Sequence, residues 1–249
     1  VLGKLDDENF VYNAFKNMDA IYLMIPPSYQ TTHAIKKVGD IYFKAIKGNK
    51  VPRVVYLSGI GAHLKKGPGP ASANYYNEQQ LNLLEDSQVL HLRPGMFYSN
   101  FYAAIDMIRN QHIIANNFDE NVRLALSHPR DIADAAFEAI HFEKFTGKSI
   151  QYIVSAEITG KIVAEVLGSA INMSALRWVQ FTDQQLLKSL MQQGMTAQMA
   201  TMYIIQMGIA LREGQLLKSY FSQKQTTQKE TISFEVFAKE FAHIYSTQN

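Results

Sequence analysis

The segment Arg53-Val54-Val55-Tyr56-Leu57-Ser58-Gly59-Ile60-Gly61-Ala62 constrains the fold most. A short apolar strand runs straight into a loop of small residues. Its lack of polar/apolar alternation marks a strand buried on both faces, as in a parallel sheet. At the carboxyl end of such a strand, a serine and two glycines leave a floor where a ligand can lie against backbone.

The flanking patterns fit the same architecture. Asp7 to Lys16 reads as a short helix, and Ala20 to Ile25 as a buried strand stopped by Pro26-Pro27. Thr31 to Lys47 carries Ile35, Val38, Ile41, Tyr42, Ala45 and Ile46 at helical spacing. Strand, helix and strand together span about forty residues, the size of a parallel crossover unit. Gly61 to Ala73, with Gly67, Pro68, Gly69 and Pro70, reads as an exposed loop. Further on, the patterns predict a helix over Asn74 to Asp86, a strand over Val89 to Arg93 closed by Pro94-Gly95, and a helix over Phe97 to Asn110. A strand over Asn121 to Ser127, a helix capped by Asp131 and running to His141, and a strand over Ile150 to Val154 follow. After Ser155 helical patterns dominate, with one strand near Leu176 to Gln180. Thr182 with Gln185 is a capping-box signature, and Ser233 caps a last helix with an aromatic stripe at Phe234, Phe237 and Phe241.

Composition narrows the function classes. The 249 residues, 47% hydrophobic, suit one large α/β domain or one domain with an appendage. A net charge of +2 without a basic run gives nucleic acid or anionic membrane no electrostatic footprint. Cysteine is absent, which excludes disulfides, thiolate metal sites and cysteine nucleophiles, and accords with a cytoplasmic location. No apolar run reaches the roughly 18 residues of a membrane span. Val1-Leu2-Gly3-Lys4 reads neither as a signal peptide nor as a natural start.

The ordered set of segments resembles the NmrA-like branch of the short-chain dehydrogenase/reductases. Gly3 to Asp7 is similar to the turn after that family's third strand, and Ala20 to Pro27 to its next strand. Arg53 to Ala62, Leu92 to Asn100, Ser127 to Ala133, Val154 to Glu157, Ala164 to Gly168 and Phe237 to Ala242 resemble later segments in the same order. The resemblance implies a Rossmann-like doubly wound parallel sheet over 1–155 and a smaller, mainly helical substrate-binding region over 156–249. It also implies NADP or NAD as cofactor. The family's glycine-rich phosphate loop precedes the Gly3 to Asp7 turn, so the first strands and that loop are expected to be missing from this chain. Gly59-Ile60-Gly61 does not replace it, because Leu64 stands where the third glycine is needed. The chain as given is therefore expected to bind dinucleotide poorly. Lys4 either leans toward a 2′-phosphate or is a solvated loop lysine.

The chemical candidates are few. The classical superfamily uses Tyr-x-x-x-Lys, in which the lysine lowers the tyrosine pKa. Here Gln79 follows Tyr75 and Gln80 follows Tyr76 at that spacing. Tyr75 is the catalytic candidate, as a neutral hydrogen-bond donor; a ligand-wall or packing role is the alternative. The seven histidines show no metal-ligand spacing, and no Gly-x-Ser-x-Gly elbow occurs. The cofactor is expected at the carboxyl edge of the sheet, against Leu5, Asp6, Ile25, Pro26, Pro27, Ser58, Gly59, Pro94, Gly95 and Phe97. Two functions stay open. One is an NAD(P)H-dependent reductase of a small carbonyl or quinone-like substrate. The other is a non-catalytic redox sensor acting through a protein partner.

Overall fold

The computed structural model describes residues 2–142, 145–223 and 230–247. In chain order it begins α1 (Glu8–Ala14), β1 (Ala20–Leu23), α2 (Thr32–Asn49), β2 (Arg53–Leu57), α3 (Gly69–Asn82) and β3 (Gln88–Pro94). Then come β4 (Met96–Phe97), a 3-10 turn (Tyr98–Ala104), α4 (Ile105–Gln111), β5 (Ile113–Asn116), β6 (Arg123–Ser127), α5 (Pro129–Phe142) and β7 (Lys148–Ile153). The chain continues through β8 (Ala156–Thr159), α6 (Gly160–Ala170), β9 (Arg177–Gln180), α7 (Asp183–Gln192) and α8 (Ala197–Ala200). A π-helical turn (Thr201–Ile205) leads into α9 (Gln206–Arg212), α10 (Lys218–Gln223) and α11 (Phe234–Thr247).

Two compact units emerge, interleaved along the chain. One comprises 1–93 with 133–152, the other 94–132 with 153–249. Residues 94–132, read from sequence with the first domain, pack with the second unit.

The first unit is built on a four-stranded sheet in the order β1-β2-β3-β7. The first three strands are parallel and in register, Ala20 beside Arg53 and Arg53 beside Gln88. Helix α2 covers one face. Its N-terminus is set by Thr31, whose side chain accepts from the Ala34 amide. Ile35, Val38, Ile41, Tyr42, Ala45 and Ile46 form its buried stripe, as the spacing predicts. All but Ile35 pack with Ile21, Leu23, Val54, Tyr56 and Val89 in one core. Each large side chain buried there contributes about 1.5–3 kcal/mol. Helix α3 begins five residues earlier than its sequence pattern suggests. Gly69 and Pro70 open it, because the fixed φ of proline suits a first turn where its missing N–H is no loss.

The second unit carries two small sheets, β4-β6-β8 and β5-β9, among helices. The helix expected over Phe97 to Asn110 is instead β4, the 3-10 turn and α4. Met96 and Phe97 are drawn into pairing with Leu126 and Ser127. Strands β5 and β8 escape the sequence pattern, since each has four residues and pairs far along the chain, with β9 and β6. The aromatic stripe of α11 is core as expected: Phe234, Phe237 and Phe241 pack with Tyr98, Phe101 and Trp178.

Candidate functional site

The ends of β1 and β2 fall side by side because the strands are parallel and Leu23 lies opposite Tyr56. The residues that follow, Ile25, Pro26 and Pro27 from β1 and Ser58 and Gly59 from β2, therefore share one edge. Ser58 prolongs the ladder by donating its amide to Leu92 O at 2.9 Å, which ties β2's end to that of β3. Leu5 and Asp6 reach the same edge through Tyr29. The Tyr29 amide donates to Pro26 O at 3.2 Å, and its hydroxyl meets the Leu5 and Asp6 backbone. Burial and the Asp6 charge hold that phenol protonated. Leu5, Ile25 and Tyr29 all pack against the first unit's core. Pro27 and Asp6 are exposed, while Ile25 and Pro26 are half-buried.

Beneath this edge lies a polar network that the sequence pattern does not reveal. The Ser58 hydroxyl donates to Glu78 Oε1 at 2.6 Å. Arg93 grips the same carboxylate with two bonds, Nε to Oε1 at 3.0 Å and Nη2 to Oε2 at 2.5 Å. Its Nη1 donates to Tyr152 Oη at 2.9 Å. Both charged side chains are almost fully buried, at 6% exposed for Arg93 and 2% for Glu78. A buried pair of this kind needs its bidentate geometry and added hydrogen bonds to offset desolvation. The one sequence signal is a glutamate on a helix face shared with Asn77 and Leu81, and an arginine ending an otherwise apolar strand.

A second chain of hydrogen bonds runs beside it. Asn77 Nδ2 donates to Tyr56 Oη at 3.1 Å, and the Tyr56 hydroxyl donates to Asn74 Oδ1 at 2.8 Å. Burial of Tyr56 pushes its pKa far up, so the phenol keeps its proton. The Asn74 amide nitrogen then lies against Gly59: a Cβ on Gly59 would sit 3.3 Å from it.

The two tyrosines of α3 separate by environment. Tyr76 donates to Asp40 Oδ1 of α2 at 2.8 Å, and Lys36 Nζ lies 5.1 Å from its ring centroid. It belongs to the packing of α2 on α3, and the Asp40 bond raises its pKa. Tyr75 is half-buried, with no such link among the described residues.

Pro94, Gly95 and Phe97 open the second unit. Gly95 is buried, with its amide donated to Ser127 Oγ at 2.7 Å. A Cβ there would meet Ala125 O at 2.1 Å. Its absence of a side chain serves the packing of backbone on β6, and its N–H is already used. Phe97 pairs with Ser127 in the β4–β6 ladder.

Asp131 does not cap α5. The helix starts at Pro129, and His128 precedes it, with Nδ1 accepting from the Arg130 amide at 3.1 Å. Asp131 lies in the first turn, where its carboxylate accepts from the Ser155 hydroxyl and from the Ile232 amide at 3.1 Å. The second unit also holds an open depression of about 380 Å³ lined by Gln180, Phe181, Thr182, Asp183 and Arg212. Arg212 pairs with Asp183 there through two bonds, of 2.8 and 3.1 Å. Among the described residues no group of His, Asp and Glu is placed to hold a metal ion. Among them, too, no helix is long and apolar enough to cross a membrane.

No family model and no curated sequence matches the chain. Solved structures do. A Citrobacter sp. triphenylmethane reductase complexed with NADP(H) superposes with a TM-score of 0.78 at 13% identity, over 96% of this chain and 82% of that one. A nucleoside-diphosphate-sugar epimerase from Staphylococcus aureus gives 0.76 at 16% identity, over 95% and 81%. An Escherichia coli NADPH-dependent quinone oxidoreductase, complexed with NADPH, gives 0.72 at 16%, over 98% and 82%. The chain thus has the Rossmann-like α/β fold of NAD(P)-binding reductases and epimerases.

Proposed function

We propose that this protein binds NADP or NAD along the edge formed by Leu5, Asp6, Ile25 to Pro27, Ser58 and Gly59. On this reading it reduces a small carbonyl or quinone-like compound, as an NmrA-like member of the short-chain reductases. The observation that carries the reading is the register of β1, β2 and β3, which gathers three strand ends on one edge of a parallel sheet. Ligands of open α/β folds bind at such edges. Two of the structures that share the fold are described as a reductase complexed with NADP(H) and a quinone oxidoreductase complexed with NADPH.

The residues present fit the flat rings of such a cofactor. Pro26 and Pro27 offer no N–H and give an apolar wall for adenine or ribose. Gly59 leaves the space that a side chain would take from the Asn74 amide. When bound, the nicotinamide supplies the hydride. Tyr75 then serves as the neutral donor to the acceptor's carbonyl oxygen. With Gln79 four residues on, no lysine lowers its pKa, so an easily reduced acceptor is the matching substrate class.

That same missing lysine favours the second reading, a redox sensor that reports the cofactor's oxidation state to a protein partner. Purified full-length protein mixed with NADPH, NADH, quinones and aldehydes distinguishes the two. Turnover supports the reductase. Cofactor binding without turnover, together with a partner whose affinity differs between oxidised and reduced cofactor, supports the sensor. Absence of both binding and turnover removes the proposal.

A further inference from the structure

The sheet of the first unit ends at β7, and among the described residues no strand pairs with its outer side. Val89 donates its amide to Gly147 O at 2.8 Å, and Gly95 donates to Ile153 O at 3.2 Å. Both bonds keep one register, so β7 runs parallel to β3 with no bulge between them. Successive residues of a strand turn their backbone groups to opposite sides. Gly147 and Ile153 turn theirs toward β3, so Lys148 and Ile150, of the other parity, turn theirs outward. Edge strands are normally closed by shortness, proline, a bulge or a projecting lysine. β7 is six residues long, against four in β1, and holds no proline. Its one charged residue, Lys148, turns its ammonium to the connection after α3, where Nζ donates to Leu84 O at 2.5 Å and to Ser87 O. The charge that would repel an incoming strand is thereby withdrawn, and Ile150 stands 43% exposed in the middle of the edge.

We propose that a second copy of this chain adds to this edge, β7 pairing antiparallel with its own counterpart about a twofold axis at Ile150. The strand's own sequence is what selects a copy of itself. About that axis Ile150 meets Ile150, and each exchanges its N–H and C=O with the other. Apolar β-branched residues set directly opposite each other make a favourable cross-strand pair. Lys148 falls opposite Tyr152 and Ser149 opposite Gln151, so no two like charges face each other. The two sheets then join into one continuous sheet. Strand pairing alone buries less than the roughly 1,200 Å² at which standard interfaces begin, so the dimer is weak and reversible.

Sedimentation velocity on the full-length protein, from about 1 to about 200 µM, tests this without reference to any ligand. The wild type is expected to pass from monomer to dimer across that range, with amide exchange slowing over Lys148 to Tyr152 as the dimer fills. Ile150→Pro deletes the outward N–H and spares the ladder to β3, because an edge position of this kind tolerates proline. Ile150→Lys sets like charges face to face on the axis. Each should weaken the dimer by about tenfold or more, with the unfolding transition retained. If the proline variant does not fold, the lysine variant decides. Phe137→Glu charges another exposed apolar surface of the unit, on α5, where Phe137 stacks on His141 and Phe142 meets the same ring edge-on. It should leave the dimer within about twofold of wild type. A wild type that stays monomeric throughout overturns the proposal. So does a dimer that survives both Ile150 variants, one that forms without slowed exchange over β7, or one lost equally in Phe137→Glu.

Discussion

Arg93 meets Glu78 through two parallel hydrogen bonds in the interior of the first unit, where both side chains are almost wholly out of water. The pair joins the end of β3 to helix α3, and through Ser58 and Tyr152 to β2 and β7. Removing one partner leaves the other charge buried and unpaired. Arg93→Met should therefore cost about 3–5 kcal/mol in urea unfolding. The double replacement Arg93→Met/Glu78→Gln should recover part of that loss, because no net charge stays buried. Additive losses in the two single variants would contradict this.

His91 makes stability pH-dependent. Burial pushes its pKa down from 6.5 to about 4; Glu78 pulls the other way, while Arg93 and Lys148 push it down further. Its Nε2 lies 2.8 Å from Asn82 Oδ1, so the neutral ring donates there. Above pH 6.5 neither the folded nor the unfolded imidazole carries a proton, and stability is full. Between 6.5 and 4 the unfolded chain takes up the proton and the folded one does not, so stability falls as pH falls. Below about 4 this contribution is flat. The shift corresponds to a loss on the order of 3 kcal/mol. Denaturant titrations across that window should show the slope, and His91→Gln should flatten it.

The glycines separate into two kinds. At Gly95 an added methyl would press on the Ala125 carbonyl, which is strand backbone and cannot swing away. Gly95→Ala should lose about 1–3 kcal/mol, the cost of overpacking. Gly147 has φ +61 with open space around its Cα. Gly147→Ala should lose about 1 kcal/mol from backbone strain alone. Thermal unfolding of the two variants gives the order.

Tyr75 and Tyr76 are adjacent, yet the proposed function sends their variants in different directions. Tyr75→Phe should lower kcat by about tenfold, at the low edge of general-acid effects, with cofactor affinity unchanged. Tyr76→Phe should leave kcat alone and lower stability by about 1 kcal/mol, through loss of the Asp40 bond. Steady-state kinetics with denaturant unfolding on the same samples separates the two.

Where structure is local, the sequence already carries it. Asp7 and Thr31 mark the starts of α1 and α2, and Thr182 with Gln185 forms the reciprocal cap of α7. The buried run Arg53 to Leu57 is the central parallel strand that its lack of alternation implies. What the pattern misses depends on partners far away in the chain. Strand β5 exists because Ile113 to Asn116 pair with Arg177 to Gln180. Asp131 looks like a cap until His128 is seen to do that work and Ser155 and Ile232 to engage the carboxylate. The edge segments were legible as strand ends. Glu78 and Arg93 were not, because they meet only once α3 is packed on the sheet.

The central claim is that a dinucleotide lies over Gly59. Gly59→Val places a branched side chain in that space and against the Asn74 amide, 3.3 Å from the new Cβ. Calorimetric titration of the full-length wild type and this variant with NADPH and NADH tests the claim most directly. The account predicts saturable binding of at least one cofactor to the wild type and a loss of about tenfold or more in the variant, with the unfolding transition retained. Equal affinity in the two proteins, or no binding to the wild type, would contradict it.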